Sequence, residues 1–209
     1  MSIKLHGMPL SNYYNVIKVV LLEKGIGFEE VSQKPSQEEE YLKKSPMGKV
    51  PCLETAEGFL TETSVMLEYL DELAQGPSLY PSDPFLRAKI REIIRYTELY
   101  IELPARRLYG EVFFNGSATD EVKAEVKSNL EKGFRALLRI AKFDPYLAGH
   151  QISYADFYAL FALSPVTIVC KKTWNWDVRN EIPKMKTLIE LLGERDSVQK
   201  VQADQGSDS

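Results

Sequence analysis

Lys49-Val50-Pro51-Cys52-Leu53-Glu54, entered through Ser45-Pro46-Met47-Gly48, is a short strand candidate with a proline at its start. Proline has no N–H to give to a ladder, so the segment belongs at a sheet edge or at a bend. Downstream, Ala56-Glu57-Gly58 makes a tight turn into Phe59-Leu60. A helix then opens at Glu62-Thr63-Ser64, with Val65, Met66, Tyr69, Leu70 and Leu73 at apolar spacing. Upstream, Ser36 precedes a charged helix over 37–44 whose glutamate-rich start suits the helix dipole. Before it lie a strand over 28–31 and a helix opening at Ser11, with Tyr13, Val16, Ile17, Val20 and Leu21 on one face and Lys24-Gly25 at its end. The first strand is Ile3-Lys4-Leu5-His6, closed by Gly7 and Pro9. Strand, helix, strand, helix, strand, strand, helix is the order of a small α/β domain with a mixed sheet.

The cluster Gly76-Pro77-Ser78 and Tyr80-Pro81-Ser82-Asp83-Pro84 ends that pattern. Beyond it the periodicity is helical. Asp83 caps a helix that starts at Pro84 and carries Ile90, Ile93, Ile94, Thr97 and Ile101 as its stripe. A second long helix is expected from about Thr119 to Lys142, a third from Ser153, and a short last one over 182–192. The expected division is residues 1–76 as the α/β domain, 77–84 as linker, 85–201 as an all-helical domain and 202–209 as a polar, frayed tail.

The 209 residues carry 26 Lys and Arg against 30 Asp and Glu, with 44% apolar residues. That is enough apolar matter for a core and excludes disordered, collagen-like and disulfide-scaffold classes. Residues 1–75 hold seven basic and twelve acidic side chains. No concentrated positive face suits nucleic acid. Two cysteines, Cys52 and Cys170, and two histidines, His6 and His150, stand apart, so no metal site is expected. The start lacks a signal-peptide h-region, and the apolar run over 157–170, broken at Ser164-Pro165, is shorter than a membrane span. A cytoplasmic protein is the expectation.

Four places can carry chemistry. Ser11 opens the first helix, either as a plain N-cap or among unpaired N–H groups that favour an anion such as a thiolate. Val50-Pro51 is either an ordinary trans bond or a cis bend that turns the Val50 backbone outward to pair with an extended peptide-like ligand. Glu62-Thr63 is either a dipole-matched helix start or a receptor for an amino acid head group, Glu62 taking the ammonium and Thr63 with the helix N-terminus the carboxylate. Ser153 and Asp156, in Gly149-His150-Gln151-Ile152-Ser153-Tyr154-Ala155-Asp156, stand three apart as in a capping box.

Taken in order, the hydroxyl after the first strand, Pro46-Met47-Gly48-Lys49-Val50-Pro51, Leu60-Thr61-Glu62-Thr63 and the Gly149 to Asp156 box resemble the cytosolic glutathione transferase family, in its serine-type, bacterial-like form. The resemblance spans about residues 3–195. It implies a thioredoxin-like N-terminal domain that binds glutathione as co-substrate, with no cofactor, and an all-α C-terminal domain that supplies most of the electrophile pocket. By position, Ser11 matches the hydroxyl that hydrogen-bonds the glutathione sulfur. Val50, before the family's cis-proline Pro51, pairs with the cysteinyl unit, Glu62 and Thr63 hold the γ-glutamyl end, and Lys49 lies near the glycyl carboxylate.

The chain also departs from the family pattern. Asn12 stands where serine-type members often have proline and is an alternative donor to sulfur. Leu5 and His6 occupy the strand where tyrosine-type members keep their tyrosine, so a tyrosine mechanism would need Tyr13 or Tyr14. Candidates for the electrophile pocket are Tyr14, Tyr100, Tyr109 and Trp174, with Tyr96, Tyr100 and Tyr109 assigned to the fourth helix. The implied function is activation of the glutathione thiol for attack on small hydrophobic electrophiles by a homodimer. The alternatives are a non-catalytic interaction module of the same fold and a glutathione-dependent isomerase or peroxidase. Asn12-Tyr13-Tyr14-Asn15 does not resemble the Ser-Cys-rich signature of the isomerase subgroup.

Overall fold

The computed structural model describes residues 3–207, and the side chains of 3–206. The chain forms two compact units: residues up to Leu79 together with those from Gly193 onward, and Tyr80–Leu192.

The first unit is built on β1 (Ile3–Gly7), β2 (Phe28–Ser32), β3 (Cys52–Glu54) and β4 (Phe59–Leu60), in the sheet order β2-β1-β3-β4. β1 runs parallel to β2 and antiparallel to β3, and β3 runs antiparallel to β4. The expected helices are α1 (Asn12–Glu23), α2 (Glu39–Leu42) and α3 (Thr63–Glu72). α2 is shorter than the predicted 37–44, because the Ser36 hydroxyl accepts the Glu38 N–H at 3.1 Å in a local turn and holds the chain out of the helix until Glu39. Leu5, Val16, Ile17, Val20, Leu21, Leu53, Met66, Leu67 and Leu70 are buried, so the inner face of the sheet and the apolar stripes of α1 and α3 share one core.

The last segment of the chain corrects the expected frayed tail and the domain boundary drawn from it. Residues 196–207 form a helix, and it packs on α1 within the first unit. Val198 and Val201 are buried there, Arg195 holds the Glu23 carboxylate through two hydrogen bonds at 2.8 and 2.6 Å, and Lys18 donates to Asp204 at 2.7 Å. Residues 208 and 209 of the expected tail lie outside the described residues.

The second unit is helical. Asp83 caps α4 (Pro84–Thr97), its carboxylate accepting the Leu86 N–H at 2.8 Å. The helix then widens into a π turn, Glu98–Glu102, and continues as α5 (Leu103–Arg106) and α6 (Tyr109–Phe113). The single long fourth helix of the sequence reading is therefore divided: Tyr96 lies on α4, Tyr100 on the π turn and Tyr109 on α6. α7 (Asp120–Ile140) is capped by Thr119, and α8 (Tyr154–Trp174) is the buried centre, with Phe157, Tyr158, Phe161, Val166 and Val169 all inside. α9 (Val178–Glu181) and α10 (Pro183–Gly193) follow; the helix of 196–207 is α11. No helix among the described residues is long and apolar enough to cross a membrane.

The box at the start of α8 forms as expected. Asp156 is buried and accepts the Ser153 N–H at 2.8 Å, the Ser153 hydroxyl at 2.9 Å and the Leu147 N–H at 2.8 Å, tying the loop before α8 to the helix. Burial pushes its carboxyl up to about 6, against the downward pull of those donors. Removing the carboxylate leaves buried donors unpaired, so Asp156→Ala should cost about 2–4 kcal/mol in denaturant unfolding; a loss below about 0.5 kcal/mol, the scale of an ordinary surface change, would contradict this role.

The sign of the pH effect follows from the same shift. The folded carboxyl titrates above its unfolded value, so the protonated form is favoured by folding; that contribution is full below the unfolded pKa and is lost as pH rises through about 6. The stability of the wild type relative to Asp156→Asn should rise by up to about 3 kcal/mol between pH 7 and pH 4. A pH-independent difference would contradict it.

Candidate active site

The strand directions decide where the candidate residues meet. Because β3 is antiparallel to both of its neighbours, β1 and β4 end where β3 begins. His6 pairs with Cys52, and Leu53 with Leu60. The chain leaving β1 reaches Ser11, the chain entering β3 passes Val50 and Pro51, and the chain leaving β4 reaches Glu62 and Thr63. All three arrive at one end of the sheet.

Ser11 is the N-cap of α1, and its Oγ accepts the Tyr14 N–H at 3.3 Å. A hydroxyl has one proton and two lone pairs. Capping uses a lone pair, and among the described residues no acceptor takes the Ser11 proton. The two functions open to this serine are therefore compatible. No acidic residue occupies the first turn of α1 or α3; the one acidic group at either helix start is Glu62, the N-cap of α3.

The Val50-Pro51 bond is cis. Among the described residues neither the N–H nor the C=O of Val50 has a hydrogen-bond partner. The loop before it is held from three sides. The Lys49 carbonyl accepts the Tyr41 hydroxyl and the Ser45 hydroxyl, each at 2.8 Å, and the Lys49 N–H donates back to Ser45 Oγ at 3.2 Å. Gly48 has φ +63, and a Cβ there would sit 2.1 Å from the Ser36 carbonyl oxygen, so glycine is required. The Lys49 side chain is exposed. Tyr41 and Ser45 were not singled out by the sequence; the one signal was a tyrosine on the core side of an otherwise charged helix.

Glu62 sits at φ 65, ψ 116, outside the regions open to most side chains, and caps α3 without a side-chain hydrogen bond. Thr63 behind it is buried. The N–H groups of the first turn of α3 have no helical partners, and the strained residue that precedes them presents its backbone and carboxylate together.

The four aromatic candidates divide between the units. Tyr14 is 2% exposed; its ring lies so close to Gly7 that a Cβ there would be 2.2 Å from Tyr14 Cδ2, and its hydroxyl donates to Glu30 at 2.5 Å. Tyr100, Tyr109 and Trp174 belong to the helical unit. Tyr100 is 51% exposed and edge-on to Tyr96 at 5.1 Å. Tyr109 is half-buried, with its hydroxyl 3.1 Å from the buried Glu102 carboxylate. Burial and the neighbouring Glu102 charge hold its phenol far above the usual range, so it is a proton donor committed to that carboxylate. Trp174 is half-buried at the end of α8.

Cys52 and Cys170 are free and buried, and burial pushes their thiols up to about 11 and about 12. Neither is available as a nucleophile. Among the described residues no group of three or more His, Cys, Asp or Glu is placed to hold a metal ion.

The sequence matches two family models, the glutathione S-transferase N-terminal domain over residues 5–78 and the glutathione S-transferase C-terminal domain over residues 106–205. A glutathione S-transferase of Pseudomonas putida is 45% identical over 202 residues, covering 97% of this chain and 92% of that protein. Glutathione S-transferase L3 of Arabidopsis thaliana is 29% identical over 161 residues, covering 76% of this chain and 63% of that one. In fold, glutathione transferase F2 of Populus trichocarpa superimposes with a TM-score of 0.83 at 22% identity, over 98% of this chain and 99% of the other. With its thioredoxin-like sheet, its helical second unit and these matches over nearly its whole length, the chain belongs to the glutathione S-transferase family.

Proposed function

We propose that the protein conjugates glutathione to small hydrophobic electrophiles, with Ser11 as donor to the sulfur. The observation that carries this is the arrival of Ser11, Val50 and Glu62-Thr63 at one end of the sheet, each with hydrogen-bonding groups that no partner among the described residues uses. A tripeptide with a thiol in the middle and a carboxylate at each end matches that layout. The Val50 N–H and C=O pair with the cysteinyl unit as an added strand would. Thr63 and the first N–H groups of α3 take the γ-glutamyl carboxylate, Glu62 takes its ammonium, and Lys49 faces the glycyl carboxylate.

A free thiol has a pKa near ~8.5 and is mostly protonated at neutral pH. The Ser11 O–H donates to sulfur while the positive end of α1 favours its charge, and both stabilise thiolate over thiol. The thiol proton passes to water. The sulfur lone pair then forms a C–S bond with the electrophilic carbon, and the displaced electron pair leaves with the departing group or moves to the far end of an activated double bond. Asn12, next in the first turn, is the alternative donor. Tyr100, Tyr109 and Trp174 are the proposed contacts for the electrophile. Tyr14, enclosed in the first unit, is not assigned that contact.

We further propose that the protein works as a homodimer in the cytoplasm. Exposed apolar side chains such as Met47, at 63%, and Phe85, at 72%, support burial against a second copy, and the free cysteines suit a reducing compartment.

Ser11→Ala should lower kcat at neutral pH by about 10²-fold, the scale of one lost donor to a developing anion, while leaving the calorimetric affinity for glutathione within a few fold. Unchanged pH–rate profiles in both Ser11→Ala and Asn12→Ala would overturn the assignment. Glu62→Gln should do the reverse, raising KM for glutathione by about tenfold or more as a charge-assisted contact is lost. No glutathione binding at millimolar levels in the wild type would favour the interaction module. Sedimentation should show a dimer at micromolar concentration, and a monomer throughout that range would contradict the assembly.

A further inference from the structure

Tyr14, Glu30, Lys18 and Asp204 form one connected polar chain that links α1 to β2 and α11. Lys18 is 2% exposed, and its ammonium donates to Glu30 at 2.6 Å and to Asp204 at 2.7 Å. Glu30, on β2, takes the Tyr14 hydroxyl at 2.5 Å on the same oxygen. Asp204, on α11, also faces Lys200 at 3.5 Å. A buried ammonium is costly unless paired, so this lysine needs both carboxylates, one from each of two elements that flank α1.

The chain ends at the proposed catalytic hydroxyl. The N–H of Tyr14 caps onto Ser11 Oγ, the Tyr14 ring is wedged against Gly7 at the end of β1, and the Tyr14 hydroxyl is anchored on β2. Ring and hydroxyl together fix where residue 14 stands, and the cap fixes the serine oxygen to it. Burial, followed by the hydrogen bond and charge of Glu30, holds the Tyr14 phenol far above its ordinary range, so the anchoring proton stays on tyrosine at every working pH.

We infer that Tyr14 is a positioning residue for the thiol chemistry, aiming the Ser11 hydroxyl from below, and that α11 supports this aim through Asp204 and Lys18. The inference rests on the reading of Ser11 as sulfur donor. It gives the last helix of the chain a part in the reaction at the first helix.

Tyr14→Phe keeps the wedge against Gly7 and removes only the anchor. With glutathione bound, thiolate absorbance followed against pH should show the thiol pKa raised by about one unit, which at neutral pH means up to about tenfold less thiolate. kcat should fall by about the same factor near pH 6.5, the loss should shrink toward pH 9 where the thiol ionises unaided, and KM for glutathione should stay within about twofold, since the contacts at Val50 and Glu62-Thr63 are untouched. Asp204→Ala, on the half-buried far end of the chain, should move the thiol pKa in the same direction by less, and the double variant should lose no more than Tyr14→Phe alone. A wild-type thiol pKa and pH profile in Tyr14→Phe, with only a lower Tm, would overturn the inference while leaving Ser11 intact. A wild-type protein that binds glutathione without lowering its thiol pKa would overturn the reading of Ser11, and the positioning role with it.

Discussion

The antiparallel pairing of β3 with β1 is the constraint on which the site depends. Had β3 run parallel, Val50 and Pro51 would enter the sheet at the end opposite Ser11. As it is, the His6–Cys52 register places the entry to β3 beside the exit from β1, and the β3–β4 hairpin returns the chain to that end in time for Glu62 to open α3. Three loops and two helix N-termini are gathered by a ladder only a few residues long. The clamp of Tyr41 and Ser45 on the Lys49 carbonyl finishes the arrangement by holding the bend that precedes Val50.

Electrostatics act locally in this unit. The first 75 residues are acidic, which is unfavourable for a ligand that carries two carboxylates and a thiolate. In the proposed mode of binding, what compensates is the pair of helix N-termini at α1 and α3, whose first turns carry no acidic residue. Two of those acidic side chains are engaged within the fold, Glu30 on Lys18 and Glu23 on Arg195 and Ser197. At Glu23, burial works against the charge, yet the hydrogen bonds from Arg195 and Ser197 outweigh it and hold the carboxyl below its usual range.

Much of this was readable from the chain. Local signals were reliable where a side chain bonds to its own backbone: Ser11 at α1, Asp83 before Pro84, Ser153 with Asp156. Periodicity found α1, α3, α4, α7 and α8, because each buries one face or all of it. The failures have a common cause in long-range pairing. The segment from Gln202 looks like a frayed end because its composition is polar, and only the two buried valines and partners on α1, some 186 residues away in sequence for Asp204, make it a helix. Tyr14 stands among the candidate pocket aromatics in the sequence, and its partner Glu30 lies on the next strand, where it gives no local signal. The π turn at Glu98–Glu102, which carries Tyr100 and separates Tyr96 from Tyr109, likewise has no compositional mark.

The central claim is that one sheet end holds the tripeptide, with sulfur on the Ser11 hydroxyl. A crystal structure with glutathione bound tests it most directly. The sulfur should lie within hydrogen-bonding distance of Ser11 Oγ, with the cysteinyl amide paired to the Val50 backbone and the γ-glutamyl carboxylate at Thr63 and the start of α3. A sulfur held by another side chain and out of reach of Ser11, or a tripeptide seated away from Val50 and Glu62, would contradict it.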